Sequence, residues 1–535
     1  MTKAVSQKSE IGRAVAMVAA AAVAGIWILS SVASGQDGSA TKAVSKPAGP
    51  ITMKVGPHLL LDDHLVAKSD GVSRKVVQPQ RHLKEPILTG SIEHQNWQPF
   101  LTVLYYPDAP AKKRFRMWYN VDTVDDPADG MWFGASGYLE SEDGVNWPGP
   151  VLRLTDIKSD GRVRFNASVI DDGPNRSERF KMLYFDAGKQ VGPRVAFSDN
   201  GTSWTQYQDG KPIIATNNGD DIWTAGYDPN RKRYFLIGKD YKYFAWTNAE
   251  GKKVSATIRL YRTSFSDDFK NWSEPKGYVF TPDEKDSGIT NWYGCGGFQV
   301  RGDLIIAFLR ELRDDKTTQG APQEAIDANN KGSASLGGNA LGKDGGAGMG
   351  YTVLAWTRDG VTWQRDRYTD KFLDVDPKVG SWDHAMSWVG SPVAVGDEVY
   401  LYYAGYRWGH KYHHSVDRQI GLVKIKRDRY VARTAGEAGG TLTTPQVAIQ
   451  GDKLLLNADA QKGEIRVQVC DASGKAIPGL TFADCQPVKG DALDVAVQWS
   501  KASLADVRGK TVVLEFSIKN ASLFAVEVAQ TKAAK

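Results

Sequence analysis

Cysteine is scarce: three residues in a chain of 535. That excludes a fold stapled by disulfides. No Cys/His spacing matches a structural zinc site, so none is expected. Cys470 and Cys485 flank a Gly/Pro-containing turn region, where they can bridge in an oxidising compartment, and Cys295 is left over. Charge of one sign is also lacking. The 67 basic and 62 acidic residues leave a formal net charge of +5. No dense Lys/Arg block appears, and the balance offers nothing to nucleic acid.

Long apolar runs are missing beyond the N-terminus. There, Lys3, Lys8 and Arg13 precede a nearly unbroken apolar stretch from Ala14 to Val32, then Ala33-Ser-Gly35. A basic start, an apolar centre and small residues read as an export signal. The stretch is also long enough to stay as a membrane anchor. No Cys follows it, so a lipoprotein is not indicated. Residues 1–35 are therefore read as signal or anchor, and residues 36–50, rich in Ser, Ala, Lys and Pro, as a tether. The expected location is periplasmic or extracellular, with a possible membrane tether.

Against these absences stands a repeated pattern. It reads Ser141-Glu-Asp143-Gly144-Val-Asn-Trp147, Ser198-Asp-Asn-Gly201-Thr-Ser-Trp204, Ser266-Asp-Asp268-Phe-Lys-Asn-Trp272 and Thr357-Arg-Asp359-Gly360-Val-Thr-Trp363. Each copy lies between runs of alternating apolar residues. Asp-Gly in that setting is a hairpin turn, since Gly accepts positive φ and Asp bonds the backbone beyond it. The Trp is placed to fold back as an apolar plug.

Upstream of each turn lies a pair of strands, and a fifth pair occupies 391–403 without a Trp turn. Five units of about four strands predict a five-bladed β-propeller over residues 51–434. The apolar segment Leu59 to Val66 is expected to close the ring on the last blade. After Ala435 the pattern becomes simple period-two alternation, which predicts a β-sandwich over 440–530. The expected fold class is all-β: a five-bladed β-propeller followed by a C-terminal β-sandwich. Residues 314–350, rich in Gly, Ala, Asn, Asp and Lys, form a long insertion in the fourth unit, read as a lid or a disordered loop.

Strand alternation puts the four Trp turns on one face of such a ring. Functional residues are then expected on the opposite rim. That rim offers carboxylates at Glu93, Asp221 and Asp383. It offers planar or polar groups at Trp97, Arg164, Asn166, Trp223, Trp292, Tyr293, His384, Trp388, Tyr406 and Arg407. Rings stack on the apolar faces of sugars, while amides and acids satisfy hydroxyls that would otherwise be buried unpaired. Glycosidic cleavage needs two carboxyl groups, one protonated and one ionised. Glu93 and Asp221 are the expected pair and Asp383 the third candidate. The expected ligand is an oligosaccharide or polysaccharide, with no cofactor and no metal.

Several stretches resemble secreted bacterial proteins of the glycoside hydrolase family 32 and 43 type. They are Leu60-Leu-Asp-Asp-His-Leu65, Phe115-Arg-Met-Trp-Tyr119, the Asp-Gly-x-x-Trp turns, Tyr402-Tyr-Ala-Gly-Tyr406, Arg418-Gln-Ile-Gly-Leu422 and Gly440-Thr-Leu-Thr-Thr444. The resemblance implies a five-bladed propeller with a following sandwich, and a glycosidase-like activity. The acid motifs depart from the family. Family 32 has Trp-Met-Asn-Asp-Pro-Asn-Gly where this chain has Gln95-Asn-Trp-Gln-Pro99. It has Arg-Asp-Pro where this chain has Arg164-Phe-Asn166, and Glu-Cys where this chain begins Asp220-Asp-Ile-Trp223. The family's acids therefore do not transfer.

Other readings give distinct expectations. A non-catalytic carbohydrate-binding propeller would bind sugar without forming product. A sialidase-like enzyme requires six blades, an Arg trio and a Tyr nucleophile. A metal site would draw on His384, His410, His413 and His414, of which the last three sit in one loop.

Overall fold

The computed structural model describes residues 49–89, 96–122, 134–158, 164–186, 190–216, 222–327, 348–410 and 418–531. The segment read as signal or anchor and most of the tether lie outside them. So does most of the lid segment, residues 328–347. Among the described residues no helix is long and apolar enough to cross a membrane.

The chain is nearly all β. Three four-stranded antiparallel sheets follow one another, built from strands within 96–153, 164–206 and 223–280. A seven-stranded sheet comes next. It holds a fourth meander (Asn291–Arg301, Leu304–Arg313, Met349–Thr357, Gln364–Arg365) and a fifth (Met386–Val395, Glu398–Tyr406, Arg418–Lys426). A single parallel bridge, Gly350 to Met386, joins the two.

The first strands of the meanders are Asn96–Tyr105, Arg164–Asp171, Trp223–Asp228, Asn291–Arg301 and Met386–Val395. Each packs beside the next, and the fifth packs beside the first. Burial on both faces drives this closure: strands such as Phe180–Asp186 and Leu304–Arg313 are buried at every position and must be covered on both sides.

The repeated turns form as their chemistry dictates. In the first copy, Asp143 Oδ1 accepts the amides of Val145 and Asn146 at 2.8 and 2.7 Å. Trp147 folds back and donates Nε1 to the Gly144 carbonyl at 3.2 Å. Trp147, Trp204 and Trp363 are buried, and Trp272 is half-buried. Gly144, Gly201 and Gly360 have φ of 74°, 84° and 71°. The third copy has Phe269 there, held at φ 64°. Its ring is buried against Trp272, Phe197 and Tyr234, and this packing offsets the strain. The turns also tie neighbours together. Trp118 Nε1 donates to Gly201 O at 2.8 Å, and Tyr402 Oη donates to Gly144 O at 2.8 Å.

Closure of the fifth meander differs from expectation. Leu59 does not pair there; Gly56–Leu59 runs antiparallel to Ala521–Ala529. The outer edge of Arg418–Lys426 is instead met by Gln80 and Leu88, bridged to Lys424 and Ile420. The chain beyond Arg418–Lys426 does not continue this unit. Val431–Ala435 joins Ser73–Val76 and the C-terminal strands. The edge is free for the N-terminal segment because the chain turns away at Asp428, whose φ is 66°. Asp428 is clamped there by Arg301 at 2.5 Å.

The C-terminal strands belong to an eleven-stranded sheet that includes four strands from residues 51–76. Those residues were assigned by sequence to the propeller. Their hydrogen bonds place them with residues 431–529. This sheet has its own core around Leu456, Val467, Leu514, Phe516 and Val526. Cys470 and Cys485 are buried free thiols, as is Cys295. The two do not bridge: Cys485 Sγ instead receives the Val467 amide at 3.3 Å.

Candidate functional site

A cavity of about 280 Å³ runs between the five innermost strands. All five line it, through residues 100–104, 168–171, 223–227, 295–300 and 390–392. An innermost strand has one edge without a ladder partner, so its backbone groups need other partners. Side-chain hydroxyls supply them. Thr102 Oγ1 accepts the Val169 amide at 3.1 Å. Ser168 Oγ accepts the Ala225 amide at 3.1 Å. Thr224 Oγ1 donates to the Cys295 carbonyl at 2.9 Å. Ser391 Oγ accepts the Val103 amide at 3.0 Å, linking fifth meander to first.

The junction of the fourth and fifth meanders is different. There Arg310 Nε donates to the Val389 carbonyl at 2.9 Å. The backbones come so close that a Cβ on Gly296 would lie 1.6 Å from Val389 O. The fourth inner strand shifts register between Trp292 and Cys295 and again between Gly296 and Phe298. Gly294 and Gly297 absorb these bulges at φ of 109° and 54°. Arg310 is 2% exposed and its guanidinium lies 5.4 Å over the Phe100 ring. Burial brings its pKa down to about 10.

Asp171 lines the other end of the cavity. It is ion-paired with Arg179 at 2.6 Å and accepts the Tyr106 hydroxyl at 2.6 Å. Burial alone would raise its pKa, but Arg179 and Tyr106 outweigh it and hold the carboxyl below its ordinary value.

Three of the aromatic residues expected on the rim, Tyr293, Trp388 and Tyr406, pack together without lining the cavity. Tyr293 stacks on Trp388 with centroids 4.7 Å apart and planes at 11°. His410 meets the Tyr293 ring edge-on at 4.5 Å. The Arg259 guanidinium lies 5.3 Å from the Tyr293 ring centroid and bonds Asn291 and Asp314. Tyr406 packs edge-on against Trp388. Tyr293, Trp388 and Tyr406 are all buried, and Trp388 Nε1 donates to the Glu311 carbonyl at 3.0 Å. Trp292 points elsewhere, beneath the Arg365 guanidinium at 4.7 Å, and is buried. Trp223 is buried and lines the cavity. Arg407 is half-buried.

Glu93 and Asp221 lie outside the described residues, as do His94, His413 and His414. Trp97, Arg164 and Asn166 stand at the leading ends of the first and second inner strands, with side chains outside the description. Asp383 is described, and it is engaged. Its Oδ2 pairs with Arg81 at 3.2 Å and accepts the Tyr403 hydroxyl at 2.9 Å. It does not line the cavity. Its contacts tie the closing segment to the fifth meander. His384 holds two carbonyls, Asp376 O at 2.7 Å and Gln319 O at 3.2 Å. The first part of the insertion is therefore packed on the fifth meander. Among the described residues no group of three or more His, Cys, Asp or Glu could hold a metal.

Two further residues, which the sequence puts on the same rim, stand out. One is Arg310. The other is Glu311, fully buried, accepting the Tyr351 hydroxyl. Burial pushes its pKa up to about 7, against the pull of Arg365 and Tyr351. It does not line the cavity. Adjacent strand residues point to opposite faces, so Arg310 reaches the cavity and Val389 of the fifth meander while Glu311 turns to Tyr351 of its own meander.

No family model and no curated protein matches the chain. Solved structures that resemble it include a putative glycosidase from Bacteroides thetaiotaomicron, at 15% identity and a TM-score of 0.42. That match covers 65% of this chain and 96% of the other. A glycosyl hydrolase from Bacteroides ovatus matches at 14% identity and a TM-score of 0.41, covering 66% and 95%. An exo-beta-1,3-galactanase from Phanerochaete chrysosporium matches at 12% identity and a TM-score of 0.34, covering 86% and 100%.

Proposed function

We propose that the five meanders are the blades of a five-bladed β-propeller, with a C-terminal β-sandwich. We propose further that the protein is an exported glycoside hydrolase acting on an oligosaccharide or polysaccharide. The observation that supports this reading is the axial cavity, lined by all five inner strands, with Phe100, Trp223, Tyr227 and Phe298 and the polar groups of Asp171 and Arg310 among its lining residues. A cavity of about 280 Å³ suits one sugar ring. Glu93 and Asp221, which precede the first and third inner strands in the sequence, are the proposed acid pair. Trp97, Arg164 and Asn166 head inner strands and are proposed to orient the sugar.

A second reading, a carbohydrate-binding propeller without turnover, is favoured by one observation. Asp383, the one candidate acid among the described residues, is already engaged by Arg81 and Tyr403. The two readings part on one experiment. The purified chain is incubated with a panel of plant, fungal and bacterial oligosaccharides, and products are followed by chromatography beside calorimetric binding. Product formation supports the hydrolase. Binding without product supports the second reading. Neither binding nor product removes both.

A further inference from the structure

Resting on the carbohydrate reading above, we infer that a two-stranded arm of the third meander is a docking wall for a neutral polysaccharide, with Tyr243 as its stacking platform. The second and third strands of that meander, Arg233–Thr247 and Lys253–Ser266, pair continuously from Tyr234 opposite Ser266 to Thr247 opposite Lys253. The inner strand accompanies them only as far as Gly238, and the outer strand only from Tyr261. Residues 240–260 therefore continue beyond the blade as a ribbon of two strands. The ribbon rises on the side where the third inner strand begins, since the Lys239 amide donates to the Ile222 carbonyl at 2.8 Å. Trp223, next to Ile222, lines the axial cavity. The far end of the ribbon is pinned. The Ala249 amide donates to the Asp286 carbonyl at 2.7 Å. Glu250 accepts the Ser287 hydroxyl at 2.6 Å and the Gly288 amide at 3.2 Å.

Its two faces differ. Phe244, Trp246, Ala256 and Ile258 pack into the main core. The opposite face carries Tyr241 paired across the strands with Arg259, then Tyr243 with Thr257, then Ala245 with Ser255. At its base this face touches the rim, because Arg259 bonds Asn291 and lies 5.3 Å from the Tyr293 ring centroid. Each further pair lies about 7 Å along the ribbon. Tyr243 is 66% exposed and, among the described side chains, is the only exposed aromatic. Thr257, Ala245 and Ser255 around it are exposed and uncharged. An open ring beside hydroxyls matches a pyranose, which presents an apolar face edged by hydroxyls. A ring carried on a pinned ribbon loses little freedom on binding. A stable contact between proteins needs about 800 Å² on each side, far more than one ring supplies. Lys242 and Lys253 are exposed on the two strands and oppose edge pairing with a second copy.

The test is native affinity electrophoresis of the full chain in gels holding soluble xylan, mannan, galactan or β-glucan, beside calorimetry with the matching mono- and disaccharides. At least one polysaccharide is expected to retard the wild type. Tyr243→Ala should weaken that retention about tenfold, while Tyr243→Phe, which keeps the ring, should preserve it. Both variants should melt with the wild type, because the side chain stands on the surface. Retardation that survives Tyr243→Ala overturns the inference and leaves the carbohydrate reading standing. So does the absence of retardation when a small sugar still binds in the calorimeter. Neither retardation nor binding of any small sugar removes the inference and the carbohydrate reading together. A dimer in sedimentation velocity that Tyr243→Ala dissociates overturns it in favour of a contact between two copies of the chain.

Discussion

Ser391 Oγ accepts the backbone amide of Val103 at 3.0 Å, and this bond joins the last meander to the first. It belongs to a series in which a side chain from one inner strand serves the unpaired edge of its neighbour. Ser391→Ala would leave the buried Val103 amide without its acceptor. The expected loss is about 1–3 kcal/mol of stability, the desolvation cost of an unsatisfied group. Urea denaturation of Ser391→Ala beside Thr102→Val and Ser168→Ala should give losses of similar size. A neutral Ser391→Ala would mean that the amide finds another partner and that the series is incidental.

Arg81 and Asp383 hold the closing segment. The aspartate is buried, while the Arg81 side chain keeps 26% of its exposure. Asp383→Ala should therefore cost less than the loss of a fully buried pair, on the order of 2 kcal/mol. Residues 77–88 should become the first protease-sensitive stretch of the variant. Unchanged melting with lost turnover would instead return Asp383 to the acid candidates.

Glu311 makes stability depend on pH. Its folded pKa of about 7 stands above the ordinary carboxylate value of 4.5. Below the lower value both folded and unfolded states hold the proton, and nothing is lost. Between the two, the unfolded chain releases a proton that the folded chain keeps, so stability falls as pH rises. Above about 7 the burial penalty on the charge is fully present. Glu311→Gln can still accept the Tyr351 hydroxyl and carries no charge. Thermal melts from pH 4.5 to 8 should show a flatter profile for the variant and a higher melting temperature at pH 8. Parallel profiles would show that the carboxyl is ionised throughout.

Turnover, where the substrate panel reveals it, should require Glu93 and Asp221. Glu93→Gln and Asp221→Asn are each expected to lower kcat by at least a hundredfold, the lower range of acid–base assistance. Circular dichroism should be unaltered in both. Wild-type rates in both variants would dismiss the pair.

Much of the fold was legible because its signals are local. The Asp-Gly-x-x-Trp turns need only their own seven residues, since Asp143 bonds amides two and three positions ahead. Even Phe269, which breaks the Gly rule, keeps the geometry because its neighbours in the turn supply the same bonds. The places of the rim aromatics along their strands were legible, because alternation is local. Their burial was not, since it depends on which ring covers which. Tyr293 and Trp388 come from different meanders and are covered by each other. Asp383 looked like a rim acid because nothing near it in sequence announces Arg81, some three hundred positions away.

What the sequence by itself determined, then, is the set of hairpins and the alternation of the strands. These follow from backbone sterics and short-range hydrogen bonds. Only the tertiary structure decided which strand covers the open edge of the fifth meander, and that residues 51–76 pair with the C-terminal sheet. It alone left Arg310 buried with a free donor at the axis. Such outcomes depend on edges and charges brought together from distant parts of the chain, and no local pattern encodes which edge meets which.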